Sequence, residues 1–518
     1  MNRPPNILFL MSDQQRWDAL GCVNPLVQTP NLDGLAQRGI CFSQAVCNVP
    51  MCVASRYSMM LGLYGSQGGF HHNTQIAPDD SSLPLPVLPQ RLNDLGYQTA
   101  GFGKTHWYLG SRMKSGIRIQ PTRRGFEVRA MAKGADSEED EPGALIMGEA
   151  DPEAWEIYKK ETAPFGPGQE NVHGYTGCTS ALDADRHPEG WLTRQALSFL
   201  DKQRDNSRPF FLYLSFNFPH AGFNLPPGYE DLYRIEDIPD RPLPPWLAYP
   251  DDHDRANRLT HAWKNAWEGE TTGSTQELVR FGILAEQWLR KTPLVRRRTT
   301  LRYYAACSYI DDQFGRVLRK LEELGELENT LVLFTADHGD MLGDRLHRFS
   351  KYCLYEGSVR VPLILAGRGV PQDKIGSVDG RPAELVDVLP TLLAAAGGEI
   401  DARLPGRSLL GPPCRIGSFT ELHGSGYELT QRAPAYMWRT SEWKLILFLP
   451  GDLPGAMAHV DQVRGELYHL AEDPHEWNNL YENPAYLKKR DEMTRQLLMH
   501  LACAWAAYPG QVMRARLG

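Results

Sequence analysis

The chain has 518 residues, of which 42% are hydrophobic, 10% aromatic and 23% charged. These proportions are typical of a soluble globular protein and exclude a disordered or fibrous chain, and the length allows a large core with a smaller appended domain. The net charge of −8 and the absence of any long basic run outside the short stretch 296–298 argue against a nucleic-acid-binding surface.

The first apolar run, Asn6–Met11, is too short for the core of a signal peptide or for a membrane span. This predicts a cytoplasmic protein without a membrane partner. The nine cysteines are odd in number and show neither CxxC pairs nor zinc-ligand spacing, which argues against a disulfide framework and a structural zinc site.

Up to residue 416 the sequence alternates short apolar runs with amphipathic segments. Strands are predicted at Asn6–Met11, Gln98–Phe102, Phe210–Phe216 and Leu331–Thr335. Helices are predicted at 29–36, Leu88–Leu95, Gly190–Gln203 and Thr299–Leu324. Alternating strands and helices imply right-handed crossovers and a mostly parallel sheet that is covered on both faces, so the predicted fold class is α/β.

From about Gly417 the pattern changes to closely spaced strands. These are predicted at Phe419–Leu422, Tyr436–Thr440, Lys444–Phe448 and Glu466–Leu470. One amphipathic helix follows, from Tyr486 to about Trp505. The sequence therefore predicts a catalytic α/β domain over 1–416 and an α+β subdomain over 417–518, the latter an antiparallel sheet crossed by a helix.

Polar residues follow all four strands predicted in the first part of the chain. They are Asp13-Gln14, Lys104-Thr105-His106, His220 and Asp337-His338. Each residue alone could be a helix cap or a solvated side chain, but ligands of open parallel sheets bind outside the carboxyl ends of the strands, where all of these would converge. Asp13, Asp337 and His338, with Gln14 as a neutral oxygen donor, suit a divalent cation.

Cys52 and Arg56 lie four residues apart where a loop is predicted to enter a helix. The amino terminus of a helix offers free N–H groups and a positive potential to an anion, and Arg56 would add a fork of hydrogen-bond donors. This arrangement predicts the position of a nucleophile.

The segment Cys52-Val53-Ala54-Ser55-Arg56 resembles the sulfatase signature Cys-x-Pro/Ala-x-Arg, whose Cys is oxidised to formylglycine after synthesis. Further motifs resemble the family in the same order, namely Gly101-Phe102-Gly103-Lys104-Thr105-His106, Pro219-His220, Asp337-His338-Gly339, Lys351 and Leu467-Tyr468-His469-Leu470. The chain is thus identified as a member of the formylglycine-dependent sulfatases, near arylsulfatases, choline sulfatases and phosphonate monoester hydrolases. The resemblance implies an alkaline-phosphatase-like fold with a large, mostly parallel sheet flanked by helices and a small C-terminal antiparallel sheet.

The resemblance also implies a role for each matching residue. The ligands of one divalent metal, calcium or alternatively manganese, would be Asp13, Gln14, Asp337, His338 and the modified Cys52. Arg56 would orient the nucleophile, and Lys104 and Lys351 would bind the sulfate oxygens. His106 would contact the formylglycine hydroxyls, and His220 would protonate or stabilise the leaving alkoxide. Asn73 is a candidate for a sulfate or pocket contact and is equally compatible with an ordinary loop residue.

These residue types suit the hydrolysis of a sulfate ester. Hydration of the aldehyde gives a diol, and a metal lowers the pKa of the hydroxyl that attacks sulfur. Lysines disperse the charge that develops on the sulfate oxygens, and the second hydroxyl then expels sulfate, which an unmodified thiol could not do. The implied partners are a small-molecule sulfate ester and, during maturation, a formylglycine-generating enzyme, while a homo-oligomer stays open.

Two residues depart from the common family pattern. Ala54 stands where Pro is frequent in the signature, which bears on how efficiently Cys52 is converted. Gln14 stands where many members have a second Asp, which makes the metal site less anionic and leaves calcium and manganese both open.

Two other functions fit parts of the sequence. A phosphonate monoester or phosphodiester hydrolase of the same superfamily would share the nucleophile, but uncharged hydroxyl residues replace Lys104 and His106 in those enzymes. A non-catalytic binding protein would keep the fold without converting Cys52. The alcohol portion of the substrate is not specified, although residues in regions that could line its pocket are His71, His72, His423 and Tyr427.

Overall fold

The computed structural model describes residues 3–73, 77, 79–107, 123–132, 144–162, 177–243, 292–347, 349–423, 435–449 and 463–507. The strands are β1 (Asn6–Ser12), β2 (Gly39–Phe42), β3 (Ala45–Val46), β4 (Gln98–Gly103), β5 (Val128–Met131), β6 (Leu145–Ile146), β7 (Phe210–Ser215), β8 (Thr330–Ala336), β9 (Leu363–Gly367), β10 (Ser377–Asp379), β11 (Ala383–Glu384), β12 (Ser418–Leu422), β13 (Ala435–Arg439), β14 (Trp443–Phe448) and β15 (Arg464–His469).

The α-helices are α1 (Pro30–Gln37), α2 (Cys52–Leu61), α3 (Gly65–Gly68), α4 (Leu88–Asp94), α5 (Met147–Ala150), α6 (Pro152–Thr162), α7 (Pro188–Ser198), α8 (Pro293–Glu323), α9 (Asp344–His347), α10 (Glu356–Val359), α11 (Val388–Ala395) and α12 (Leu487–Ala507). A π-helical turn, Phe199–Gln203, continues α7, so the helix predicted over 190–203 is present. Within the described part of the chain, no helix is both long and apolar enough to cross a bilayer.

The large sheet has nine strands in the order β10-β2-β9-β8-β1-β7-β4-β5-β6. Its centre, β8-β1-β7-β4, is parallel throughout, which confirms the predicted α/β fold. Strand β9 runs antiparallel to both β8 and β2 and was not predicted. Its direction has a simple cause, since the segment 337–362 stays at the carboxyl end of β8 and the chain therefore re-enters the sheet from that end.

Successive residues of the central strands pack into two different apolar layers. In β1, Phe9 belongs to the layer with Tyr57 of α2 and Leu392 of α11, whereas Leu10 belongs to the layer with Trp191 of α7. Helices α1 and α8 lie in that second layer too. Because both faces are covered, β1, β4, β7 and β8 are buried at every position and mostly apolar, as expected for a parallel sheet.

The second sheet is antiparallel, with the strand order β12-β13-β14-β15. Met493 and Leu497 of α12 pack on it, together with Tyr64 and Val386 from the first part of the chain. The predicted small sheet with a helix across it is confirmed. The division into domains at 416/417 stays a prediction.

A buried charge network joins this second sheet to helix α10. Glu356 accepts from Arg439 at 2.8 Å, and Lys444 Nζ lies 2.8 Å from Glu356 and 2.7 Å from Glu476. Burial alone would raise the pKa of Glu356, but Arg439 and Lys444 hold it well below its usual value. The network fixes the segment that follows Lys351, because α10 begins only five residues after it.

We expect Lys444→Met to lower the free energy of unfolding by about 3 kcal/mol, because it removes the cation that lies between the buried carboxylates of Glu356 and Glu476. Lys489→Met is the matched control. The Lys489–Glu492 pair lies at the surface of α12, so its loss should change the unfolding free energy by less than about 1 kcal/mol. Chemical denaturation of both variants measures the difference, and equal effects would contradict the role given to Lys444.

Candidate active site

The carboxyl ends of four neighbouring strands form one edge of the large sheet. Asp337 follows β8, Asp13 follows β1, and Lys104 follows β4, with His220 beyond the end of β7. Because the strand order is β8-β1-β7-β4, these positions lie side by side. Helix α2 brings Cys52 to the same edge at its first residue, with Met51 as an extended N-cap.

A cluster of possible metal ligands surrounds Cys52. One donor atom each of Asp13, Cys52, Asp337 and His338 lies within 4.8 Å of the others, and all four residues are buried. Burial lowers the pKa of His338 to about 4, so the imidazole is neutral near pH 7. Its Nδ1 contacts the Gly339 carbonyl at 3.0 Å, which leaves Nε2, 3.2 Å from Cys52 Sγ, as the atom that can bind a cation.

Gln14 lies beside this cluster in a left-handed backbone conformation, with φ of 64°. Its N–H donates to Asp337 Oδ1 at 3.0 Å, and its carbonyl accepts from Tyr303 Oη at 2.7 Å. Its side-chain Nε2 donates to Asp340 Oδ2 at 2.5 Å. The backbone of Gln14 is therefore fixed, and the side-chain atom suited to a cation is the amide oxygen Oε1.

Arg56 contacts the acidic ligands directly. Its Nε lies 2.9 Å from Asp337 Oδ2, its Nη2 lies 3.1 Å from Asp13 Oδ2, and its Nη1 donates to the Lys104 carbonyl at 2.6 Å. The sequence suggested that the guanidinium fork would face an anion. In the structure it contacts two carboxylates, because two buried Asp side chains require a cation close by, and its contact with a substrate anion stays a prediction.

Two lysines approach the nucleophile position. Lys351 Nζ lies 2.8 Å from Cys52 Sγ, and Lys104 Nζ lies 2.9 Å from Asp13 Oδ2. Burial and Asp13 raise the pKa of the Cys52 thiol to about 11 despite these lysines. Burial would raise the pKa of Asp13 too, but Lys104, His220, Lys351 and Arg56 hold it well below its usual value. Asp13 is thus an anion, and unmodified Cys52 is a neutral thiol near pH 7.

The other predicted residues lie around this cluster. His106 is buried with φ of 58°. His220 is partly buried, and its Nδ1 lies 3.2 Å from the Ala221 carbonyl. Asn73 is buried, and its Oδ1 accepts from the N–H of Val53 at 3.1 Å, so it caps the first turn of α2. Asn73 therefore supports the helix that carries Cys52, in addition to any contact with a substrate.

Several residues that support the site were not singled out from the sequence. Asp340 and Tyr303 hold Gln14, and Tyr213 and Ser215 contact Arg56 Nη1 at 3.2 and 3.0 Å. Ser55 donates its hydroxyl proton to the Asp337 carbonyl. Only Asp340 and Ser55 carried a signal, because Asp340 directly follows the motif Asp337-His338-Gly339 and Ser55 lies within Cys52–Arg56. The contacts of the two tyrosines depend on the tertiary fold.

The segment around Lys351 is strained. Ser350 and Tyr352, on either side of it, have φ of 74° and 65°, a region that side chains other than glycine adopt at an energetic cost. Gly339 is required for a different reason, since a Cβ there would lie 2.1 Å from the Gly357 carbonyl oxygen. Close packing of 337–340 against 350–357 thus brings Lys351 to Cys52.

The histidines considered for the substrate pocket are buried. The rings of His71 and His423 lie 4.1 Å apart, and His423 Nε2 lies 2.9 Å from Glu421 Oε2. His72 is 0% exposed. Tyr427 lies outside the described residues. The contact between His71, which follows α3, and His423, which follows β12, thus connects this part of the chain to the second sheet.

Comparison with known proteins identifies the family. The family model described as Sulfatase matches residues 5–398, and the model described as N-sulphoglucosamine sulphohydrolase, C-terminal, matches residues 345–502. The arylsulfatase of Clostridium perfringens is 31% identical over 78% of this chain and 77% of its own length. The multifunctional alkaline phosphatase superfamily protein PehA of Trinickia caryophylli is 29% identical over 93% of this chain and 92% of its own length.

Solved structures agree on the fold. The phosphonate monoester hydrolase of Agrobacterium radiobacter matches with a TM-score of 0.74 and 22% identity, over 96% of each chain. At this identity the match supports the alkaline-phosphatase-like architecture only. The match of the Sulfatase model to most of the chain, together with the arylsulfatase relative, assigns the activity class. The chain belongs to the sulfatase family of sulfuric ester hydrolases.

Proposed function

We propose that this sulfatase hydrolyses small sulfate esters at Cys52 after the residue has been converted to formylglycine. The observation that carries the proposal is the setting of Cys52, which is the first residue of α2 and lies against both Lys351 and the acidic cluster. A helix amino terminus and two buried lysines form a site for a tetrahedral anion. Residue 52 would therefore lie next to the sulfur atom of a sulfate group that is bound there.

The residues present fit a divalent cation. Asp13, Asp337 and Gln14 offer hard oxygen atoms, and His338 offers a neutral imidazole nitrogen. We propose that these side chains and the modified Cys52 hold calcium, with manganese as the alternative. When bound, such a cation supplies the positive charge that lowers the pKa of a hydroxyl in contact with it.

Side chains of the protein bind the sulfate group, position the metal ligands and transfer the proton. Lys104 and Lys351 bind the sulfate oxygens and disperse the charge that grows on them in the transition state. Arg56 holds Asp13 and Asp337 at a fixed separation. His220, which lies beyond the end of β7 at the same edge of the sheet, delivers a proton to the leaving oxygen. His106 contacts the hydroxyls of the modified residue.

We expect mass spectrometry of active protein to show an aldehyde in place of the Cys52 thiol. The tryptic peptide 39–56 also contains Cys41 and Cys47, so fragment ions are needed to locate the change. These two cysteines are internal controls, because they lie outside the signature and should remain thiols. Full activity in protein that carries only the unmodified Cys52 thiol would refute the mechanism. Conversion should also increase on co-expression with a formylglycine-generating enzyme, which we propose as the maturation partner.

Hydrolysis of phosphonate monoesters or phosphodiesters is the second candidate. The alignment over 93% of the chain with PehA, which is described as a multifunctional protein of the alkaline phosphatase superfamily, favours it. Lys104 and His106 favour sulfate instead, because the resemblance to the phosphohydrolases implies uncharged hydroxyl residues at those two positions.

A substrate panel separates these two candidates. We expect kcat/KM for an aryl sulfate to exceed that for a phosphonate monoester with the same leaving group. Replacing Lys104 and His106 together by hydroxyl residues should reduce the preference for sulfate, because that removes the two groups specific to the sulfatase pattern. A parent enzyme that prefers phosphonates by a wide margin would assign the second candidate instead.

A further inference from the structure

Asp340 lies next to the metal-ligand cluster but is not part of it. The residue is 0% exposed, and its Oδ1 accepts from the backbone N–H groups of Leu342 at 2.7 Å and Ser350 at 3.0 Å. These two bonds fix the carboxylate relative to the loop on either side of α9. Its second oxygen, Oδ2, accepts from Gln14 Nε2 at 2.5 Å.

A carboxylate accepts hydrogen bonds but donates none, whereas a carboxamide has one donor end and one acceptor end. Asp340 therefore determines which end of the Gln14 side chain faces it, and that end is Nε2. The backbone of Gln14 has no freedom to compensate, since Asp337 and Tyr303 hold it on both sides. The opposite end of the carboxamide, Oε1, is then the atom presented to a cation.

We propose that Asp340 is a positioning residue that selects the metal-binding orientation of Gln14. Its fixed carboxylate accepts from the amide nitrogen, so that the amide oxygen of Gln14 faces the cation. This inference rests on the cation site of the proposed function and deepens it. The pairing with Asp340 would allow Gln14 to serve as a metal ligand at a position where, as the resemblance implies, many sulfatases have a second Asp. An isolated amide could turn its NH₂ group towards the cation, but Gln14 cannot while Asp340 is a carboxylate.

The test is a double-mutant cycle read by titration of the metal-stripped protein with calcium chloride. In Asp340→Asn, the amide oxygen can keep the two backbone bonds, and the new NH₂ group then faces Gln14 Nε2. The Gln14 carboxamide must rotate, which turns its own NH₂ group towards the cation. We expect calcium affinity to fall about tenfold or more, as is typical when a residue that orients a metal ligand is changed.

The same substitution should have the opposite effect when position 14 is acidic. In Gln14→Glu alone, two carboxylates face each other in a buried position and repel. Adding Asp340→Asn gives Glu at 14 a donor for one oxygen and leaves the other for the cation. We therefore expect Asp340→Asn to weaken calcium binding in the Gln14 background and to strengthen it in the Gln14→Glu background.

Asp344→Asn is the matched control for changing a carboxylate in this loop. Asp344 pairs with Arg16 at 2.7 Å, and Arg16 also donates to the Asp340 carbonyl, so the control probes the same loop without changing the acceptor for Gln14. Its calcium affinity should equal that of the parent, and unfolding curves should confirm that all variants are folded.

The possible results separate the two proposals. A reversal of sign between the two backgrounds supports the pairing of Asp340 with Gln14. If Asp340→Asn changes calcium affinity by the same factor in both backgrounds, the pairing is wrong while the cation site stands. If the parent binds neither calcium nor manganese, the cation site of the proposed function is itself wrong.

Discussion

Asp337→Ala is expected to abolish both cation binding and sulfate-ester turnover. Asp337 Oδ1 accepts from the backbone of Gln14 and His338, while Oδ2 binds Arg56. Its removal takes away a ligand and leaves Arg56 with one acidic partner, Asp13. The rate should fall by more than the factor of about 10 to 100 that is typical when an outer-shell partner of a metal ligand is changed, and metal content measured on the purified variant should fall together with kcat.

Two further variants make this test specific. Asp337→Asn keeps an oxygen acceptor for the two backbone N–H groups, so it should remain folded while it still loses cation affinity, because it removes the negative charge. Asp311→Asn changes a buried carboxylate of α8 that caps the start of α1. It should keep the full metal content. Stoichiometric metal with undiminished activity in Asp337→Ala would refute the assignment of this ligand.

The polar residues at the strand ends could be predicted from the sequence because their position follows from the topology of a parallel sheet. Asp13, Lys104 and Asp337 each follow an apolar run directly, and parallel strands place such residues at one edge. The resemblance to a known signature then connected Cys52 to this edge. Both steps use local patterns, and both agree with the positions found in the structure.

The features that could not be predicted depend on contacts between distant segments. Strand β9 runs antiparallel because of the path of 337–362, which no local pattern records. Tyr303 reaches Gln14 across 289 positions of sequence. The direction in which Arg56 points depends on how two buried carboxylates are neutralised, which is an energetic requirement of the folded site and not a property of the motif.

Asn73 combines a role that the sequence predicted with a contact that depends on the tertiary fold. From the sequence it was a candidate for a sulfate or pocket contact. The structure gives it a capping bond to the first turn of α2, beside Cys52. Capping of this turn positions the Cys52 backbone, so a change at Asn73 would affect Cys52 even without any contact to a substrate.

His220→Ala is expected to slow alkyl sulfates far more than activated aryl sulfates. A poor leaving group must be protonated as the S–O bond breaks, whereas an activated phenolate departs without help, so the value of a proton donor grows with leaving-group pKa. The loss for alkyl sulfates should reach a factor of about 10² to 10⁴, the usual contribution of a general acid.

The measurement is kcat/KM for a series of sulfates of graded leaving-group pKa, in the parent and in the variant. His500→Ala is the matched control, because the His500 ring of α12 packs against Phe419 and Trp438 of the second sheet, and its loss should reduce activity, if at all, by the same factor for every leaving group. A dependence on leaving-group pKa that is steeper in His220→Ala than in the parent assigns the proton donor. A uniform loss across the series would contradict the role of His220 as the proton donor, and the proton would then have to come from another group or from water. His220 would act electrostatically instead, in keeping with its lowering of the pKa of Asp13.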